Sequence, residues 1–176
     1  MKKVSLLFIF SFMAFIMNAS NYYDIVPKPS SLTPTDGVIT KEKTISVYMD
    51  ESLEKDYLIE IMNELRLTLS FADSPQNAFL SLSIKNNSAT DAEGYRLEIS
   101  RSGNEHINAI ANTKSGLLNA LQSLRQLASV GADGVVAFPC CTIDDKPAFS
   151  WRAFMLDESR HFHGMATVKR LLDEMA

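Results

Sequence analysis

The sequence predicts an α+β fold: an antiparallel-rich sheet covered by two helices, followed by one further β/α unit. Three observations predict it. Apolar residues alternate with polar ones in several short runs, as in half-buried strands. Two longer stretches repeat leucine and isoleucine at three- and four-residue steps, as in helices with one apolar face. Residues 146–176 then change character, to an aromatic-rich run, a polar cluster and a last helical pattern.

Taken in order, Tyr23-Asp24-Ile25-Val26-Pro27-Lys28-Pro29 is an extended entry segment, because each proline disfavours helix at the residue before it. Thr44 to Tyr48 alternates and reads as a strand. Asp50 can cap the helix that follows, whose apolar face is Leu53, Tyr57, Leu58, Ile61, Leu65 and Leu69. Leu80, Leu82 and Ile84 alternate as a second strand. Tyr95, Leu97 and Ile99 return through Arg101-Ser102-Gly103-Asn104-Glu105 to Ile107, Ala109 and Ala111, which is a β-hairpin signature. Thr113 or Asn112 caps a second helix carrying Leu117, Leu118, Leu121, Leu124 and Leu127, and Gly131 is placed to stop it. Val135 to Ile143 reads as the final strand. These elements make one α+β layer domain over residues 20–145.

Composition bounds the function. With 176 residues the chain holds one domain rather than two large ones. Its 46% hydrophobic and 22% charged residues exclude disorder. Met1-Lys2-Lys3, the apolar run Val4 to Met17 and the small residues Asn18-Ala19-Ser20 have the order of a secretory signal peptide, residues 1–19. A membrane anchor is the competing reading, but the run is shorter than the roughly 20 residues that span a bilayer. The chain is therefore expected to be exported and free of the membrane after cleavage: periplasmic, cell-surface or secreted. The formal charge of −4 becomes more negative once Lys2 and Lys3 are removed. Such a surface has no footprint for nucleic acid or an anionic membrane. A neutral or small partner is expected.

Cys140 and Cys141 are adjacent, and neighbouring Cα atoms lie about 3.8 Å apart, below the usual disulfide range. They read as buried thiols on a strand, with a strained vicinal disulfide as the alternative. His161 and His163 have a spacing that could chelate a metal, but without a third ligand they read as solvated or packed. No metal site and no cofactor is expected. Asp144-Asp145 and Asp157-Glu158 are adjacent pairs that can point apart, whereas a two-carboxylate hydrolase needs groups facing each other across about 5 to 10 Å. Asn86-Asn87-Ser88 has the glycosylation pattern.

In residues 146–176, Phe149 to Leu156 reads as an apolar strand interrupted by Arg152. Asp157-Glu158-Ser159-Arg160-His161 is a polar loop, and Thr167 to Ala176 starts a helix with Val168, Leu171, Leu172 and Met175 on one side. The run from Phe149-Ser150-Trp151-Arg152-Ala153 through Asp157-Glu158-Ser159-Arg160-His161-Phe162 closely resembles the opening of the catalytic barrel in glycoside hydrolase family 20, the β-N-acetylhexosaminidases. Upstream, Ile25-Val26-Pro27-Lys28-Pro29 is similar to the family's entry segment, and Glu93-Gly94-Tyr95-Arg96-Leu97 to its middle strand. Gly116 to Leu127 resembles its "G-L-x-x-x-L-Q-x-L-R-Q-L" helix. Ala153 departs from the family's usual glycine, and His163-Gly164 from a more usual aromatic or proline-containing stretch.

The resemblance implies that residues 146–176 are the first strand and helix of an incomplete (β/α)8 barrel. In such barrels the C-terminal ends of the strands face the active site, and Asp157 and Arg160 lie at that end. It further implies that Arg160 binds hydroxyls of a terminal sugar, a role that suits five fixed N–H donors, with Asp157 as its buried counter-charge. An Asp–Arg pair that only tethers the loop is the alternative. The implied partner is a glycan containing N-acetylhexosamine, with terminal β-linked N-acetylglucosamine or N-acetylgalactosamine cleaved with retention. The nucleophile would be the substrate's own 2-acetamido oxygen. The Asp-Glu pair that serves this chemistry lies later in the barrel, so no catalytic residue is assigned here. A barrel takes about 250 residues, and the expectation is a truncated product, a gene fragment or a split reading frame. Two classes stay open: the N-terminal portion of a hexosaminidase, or a stand-alone exported structural or glycan-binding module.

Overall fold

The computed structural model describes residues 23–49, 53–85, 92–157 and 159–175. The signal-like leader, Asp50 as a helix cap and the Asn86-Asn87-Ser88 pattern lie outside the described residues.

The strands are β1 (Ser31–Lys41), β2 (Thr44–Met49), β3 (Thr68–Phe71), β4 (Leu80–Ile84), β5 (Tyr95–Ser100), β6 (His106–Ala111), β7 (Ser129–Val130) and β8 (Val136–Asp145). The helices are α1 (Lys55–Glu64), α2 (Lys114–Leu127) and α3 (Met165–Met175). All the strands share one sheet in the order β1-β8-β5-β6-β4-β2-β3, with β7 also paired to β8. The sheet is mixed. Pairings β1–β8, β5–β8, β5–β6 and β7–β8 are antiparallel, while β2–β3, β2–β4 and β4–β6 are parallel.

Register explains how one core forms. Val47 lies beside Leu80, Leu80 beside Ile107, Ile107 beside Ile99 and Ile99 beside Cys141. Because side chains alternate strictly along a strand, this row faces one side, and every member of it is buried. Helices α1 and α2 cover that side together, joined by Gln122 Nε2 donating to Tyr57 Oη and by Arg125 to Glu64 at 3.0 Å. Leu58, Ile61 and Met62 of α1 and Leu117, Leu121 and Leu124 of α2 are buried. Full burial of each such side chain stabilises by roughly 1.5–3 kcal/mol.

The expected hairpin is present, with Tyr95 opposite Ala111 and Ser100 opposite His106. The expected second helix starts on Thr113, whose Oγ1 accepts from Gly116 N at 3.4 Å. Tyr95 Oη and Ser123 Oγ, 2.6 Å apart, then join β5 to α2 inside the core. Burial pushes the Tyr95 phenol up to about 12, so it stays a neutral hydrogen-bonding group.

Several expectations fail for physical reasons. The first helix ends at Glu64 and not at Leu69. Arg66 adopts φ +59°, which breaks the helix, and Leu67 drops into the core as the chain enters β3. The periodic leucines continue across this break, which hid β3 and the β2–α1–β3 crossover it completes. Strand β1 was not expected either. It is an edge strand, mostly exposed and carrying Pro34 and Gly37, so it has no alternating pattern. Helix α2 stops at Leu127, short of Gly131, because Ser129–Val130 pair with β8 as β7. Gly131 and Gly134 instead make the turn between β7 and β8, with Gly131 N donating to Val135 O at 2.8 Å.

Cys140 and Cys141 are free, buried thiols. Burial, and then the neighbouring Cys140, push the Cys141 thiol up to about 12. Burial raises Cys140 as well. Neither is available as a thiolate near neutral pH, the state a nucleophilic cysteine needs.

Candidate functional site

The candidate site is the loop between the Phe149–Leu156 run and α3. That run is not a strand here: residues 149–157 are irregular, and Trp151, Phe154 and Met155 are exposed at 83%, 58% and 90%. A strand exists only through ladder partners, and none of the described strands pairs with this run. The expected α3 is present over Met165–Met175, with Leu172 and Met175 of its apolar side exposed. Ala153 is exposed too, so its extra methyl meets no crowded backbone.

Within the loop, Asp157 Oδ1 accepts from Ser159 N at 2.9 Å and from Ser159 Oγ at 2.6 Å. This is an Asx-type turn, in which an aspartate side chain folds the chain two residues on. The Ser159 hydroxyl, the Ser159 amide and the Arg160 amide hold the Asp157 carboxyl below its ordinary value. Arg160 Nε stands 3.7 Å from Asp157 Oδ2, with side-chain exposures of 90% and 54%. The two predicted residues are therefore brought together, but as an exposed pair and not a buried one. The primary work of Asp157 is on the loop backbone. The Arg160 guanidinium keeps most of its donors in solvent.

The other candidates disperse. Asp144 pairs with Arg96 at 2.7 Å, while Asp145 accepts from Ser30 N and Oγ at 2.8 and 2.9 Å. The two carboxylates thus serve different neighbours. His161 and His163 meet edge to face with ring centroids 5.1 Å apart. A cavity of about 180 Å³ beside β5, lined by Thr35, Asp36, Glu98, Arg101 and Thr142 among others, contains neither Asp157 nor Arg160.

Sequence reasoning missed Arg152 and Glu93 as a pair. Arg152 Nη2 and Nη1 donate to the two Glu93 carboxylate oxygens at 2.7 and 3.1 Å. Arg152 Nη1 also donates to Phe149 O at 2.7 Å. A charged residue interrupting an apolar run was the available signal, but nothing in the sequence pointed to a partner 59 residues away.

The sheet domain is thus followed by an irregular run, an exposed Asp–Arg loop and a helix. Residues 22–146 match glycosyl hydrolase family 20, domain 2, and residues 149–176 match the catalytic domain of the same family. The chain belongs to glycosyl hydrolase family 20. It is 30% identical over 166 residues to a β-hexosaminidase of Porphyromonas gingivalis, covering 87% of this chain and 21% of that protein. It is 26% identical to a β-N-acetylhexosaminidase of Cellulomonas fimi, covering 86% of this chain and 32% of that one. Among solved structures, the Vibrio harveyi family 20 exo-β-N-acetylglucosaminidase in complex with N-acetylglucosamine superposes with a TM-score of 0.74 at 30% identity. That match covers 88% of this chain and 24% of the Vibrio enzyme. The Bacteroides fragilis β-N-acetylhexosaminidase gives a TM-score of 0.72 at 28% identity over 85% and 30% of the two chains. The chain thus spans about a fifth to a third of the length of these relatives.

Proposed function

We propose that these 176 residues supply the sheet domain (20–145) and the opening β/α unit (146–176) of an exported β-N-acetylhexosaminidase. The enzyme would remove terminal β-linked N-acetylglucosamine or N-acetylgalactosamine from glycans. The observation that carries the reading is the loop at the end of the Phe149–Leu156 run. There Asp157 folds the backbone while Arg160 presents its guanidinium to solvent. A planar cation with several fixed donors suits the clustered hydroxyls of a non-reducing sugar. In this reading Arg160 binds and orients the sugar. The 2-acetamido oxygen of the substrate attacks its own anomeric carbon, and an Asp-Glu pair later in the barrel, which no residue of this chain matches, stabilises the acetamido group and protonates the leaving oxygen.

The test joins residues 20–176 to the remaining catalytic domain of the Porphyromonas gingivalis β-hexosaminidase. Its activity is then assayed on chromogenic N-acetyl-β-glucosaminide and galactosaminide. Turnover of either substrate is expected. A chimera with a native-like melting transition and no turnover of either would overturn the reading.

A further inference from the structure

We infer that Glu93 and Arg152 form a clasp by which the sheet domain positions the Asp157–Arg160 loop. Both ends of the clasp are anchored, and by different means.

On the sheet side, the residues leading into β5 are gripped by the first half of α2. Thr113 Oγ1 donates to Ala92 O, and Asn119 Nδ2 donates to Glu93 O at 3.0 Å. Gly116 lies against the carbonyl of Gly94. Glu93 is thus fixed through its backbone, and its carboxylate is one-third exposed.

On the loop side, Arg152 offers two N–H groups to the two Glu93 oxygens and a further bond to Phe149 O, which folds residues 149–152 around the guanidinium. Paired N–H···O bonds of this kind constrain direction as well as distance. Packing cannot play that part, because Trp151, Phe154 and Met155 are all exposed. Five residues beyond Arg152, the Asp157–Ser159 turn carries on to Arg160. Arg152 and Glu93 therefore act as positioning residues, through the backbone between them and the loop.

Trp151 is the chain's single tryptophan and reports on this segment without a label. The experiment compares the full chain with Glu93→Gln, Arg152→Gln and the exchanged pair Glu93→Arg/Arg152→Glu. Amide exchange by mass spectrometry and Trp151 anisotropy are followed together. Each single variant should speed exchange in residues 149–160 by about 1.5- to fivefold, the range set by an exposed ion pair. Each should also lower Trp151 anisotropy and leave protection of β4, β5 and β6 unchanged. The exchanged pair should recover most of the loss.

Unchanged exchange and anisotropy in both single variants would overturn the clasp. So would an equal loss of protection in β5 and β6, which would make the pair part of domain stability. The role of the clasp in glycan handling rests on the sugar-binding reading of Arg160, but none of these readouts involves a sugar, so the two can fail separately.

Discussion

Replacing Arg160 by alanine in the barrel-restored chimera will lower kcat/KM by about ten- to hundredfold, the loss associated with one charge-assisted hydrogen bond to substrate. The melting temperature should stay within about 1 °C, because exposed side chains away from caps and cores change stability little. The expectation follows from exposure: with 90% of its side chain in solvent, Arg160 packs against very little. Its ion pair with Asp157, at 3.7 Å and exposed, is of the kind that contributes little to folding. Lysine should restore only part of the loss, since an ammonium cannot reproduce the planar fork. Near-normal kinetics with a collapsed melting transition would make Arg160 a loop tether instead.

Gly116→Ala should destabilise the sheet domain by about 1–3 kcal/mol, the usual cost of overpacking. A glycine inside a helix ordinarily gains roughly 1 kcal/mol on replacement by alanine, so the expected sign runs against propensity. The reason is spatial. A methyl group at residue 116 would stand 2.5 Å from the Gly94 carbonyl oxygen and 2.8 Å from Ala111 Cβ. Neither can yield cheaply, one being backbone at the entry to β5 and the other the last residue of β6. Urea denaturation followed by circular dichroism measures the change, and a midpoint at or above that of the native sequence would contradict it. The glycine that opens α2 is thus a packing requirement, letting the helix reach the segment that Glu93 also occupies.

The residues that alternate or repeat regularly were the ones legible in the sequence. The β5–β6 hairpin and α2 both follow from such patterns. Strand β1 escaped because an exposed edge strand has no buried face to impose alternation, and its partner β8 lies a hundred residues away. The end of α1 escaped because Leu65, Leu67 and Leu69 stay buried or half-buried across the break, first on a helix and then on a strand. Only Arg66 marks the reversal, and arginine has no special preference for positive φ. Asp157 and Arg160 were singled out by their place in a motif. Their exposure was not legible, since burial depends on what packs over a loop. The Glu93–Arg152 pair was invisible for a related reason: a contact between distant residues leaves no local period.

The absence of extended structure in residues 149–157 has the same origin. The sequence there is apolar and aromatic enough for a buried strand, yet Phe149, Trp151, Phe154 and Met155 are all exposed. Strand formation is a property of the pair, and the described residues offer this run no partner.

The most direct test of the account is an assay of the purified 176-residue chain, on its own, against chromogenic N-acetyl-β-glucosaminide. In the proposed function the sugar-orienting arginine belongs to this chain, and the acid and the acetamido-stabilising carboxylate belong to the rest of the catalytic domain. No turnover above a heat-treated control is expected at any pH between about 4 and 8. Turnover that co-purifies with the chain and vanishes in Arg160→Ala would contradict the account, because the chemistry would then reside in residues to which it assigns only binding and positioning.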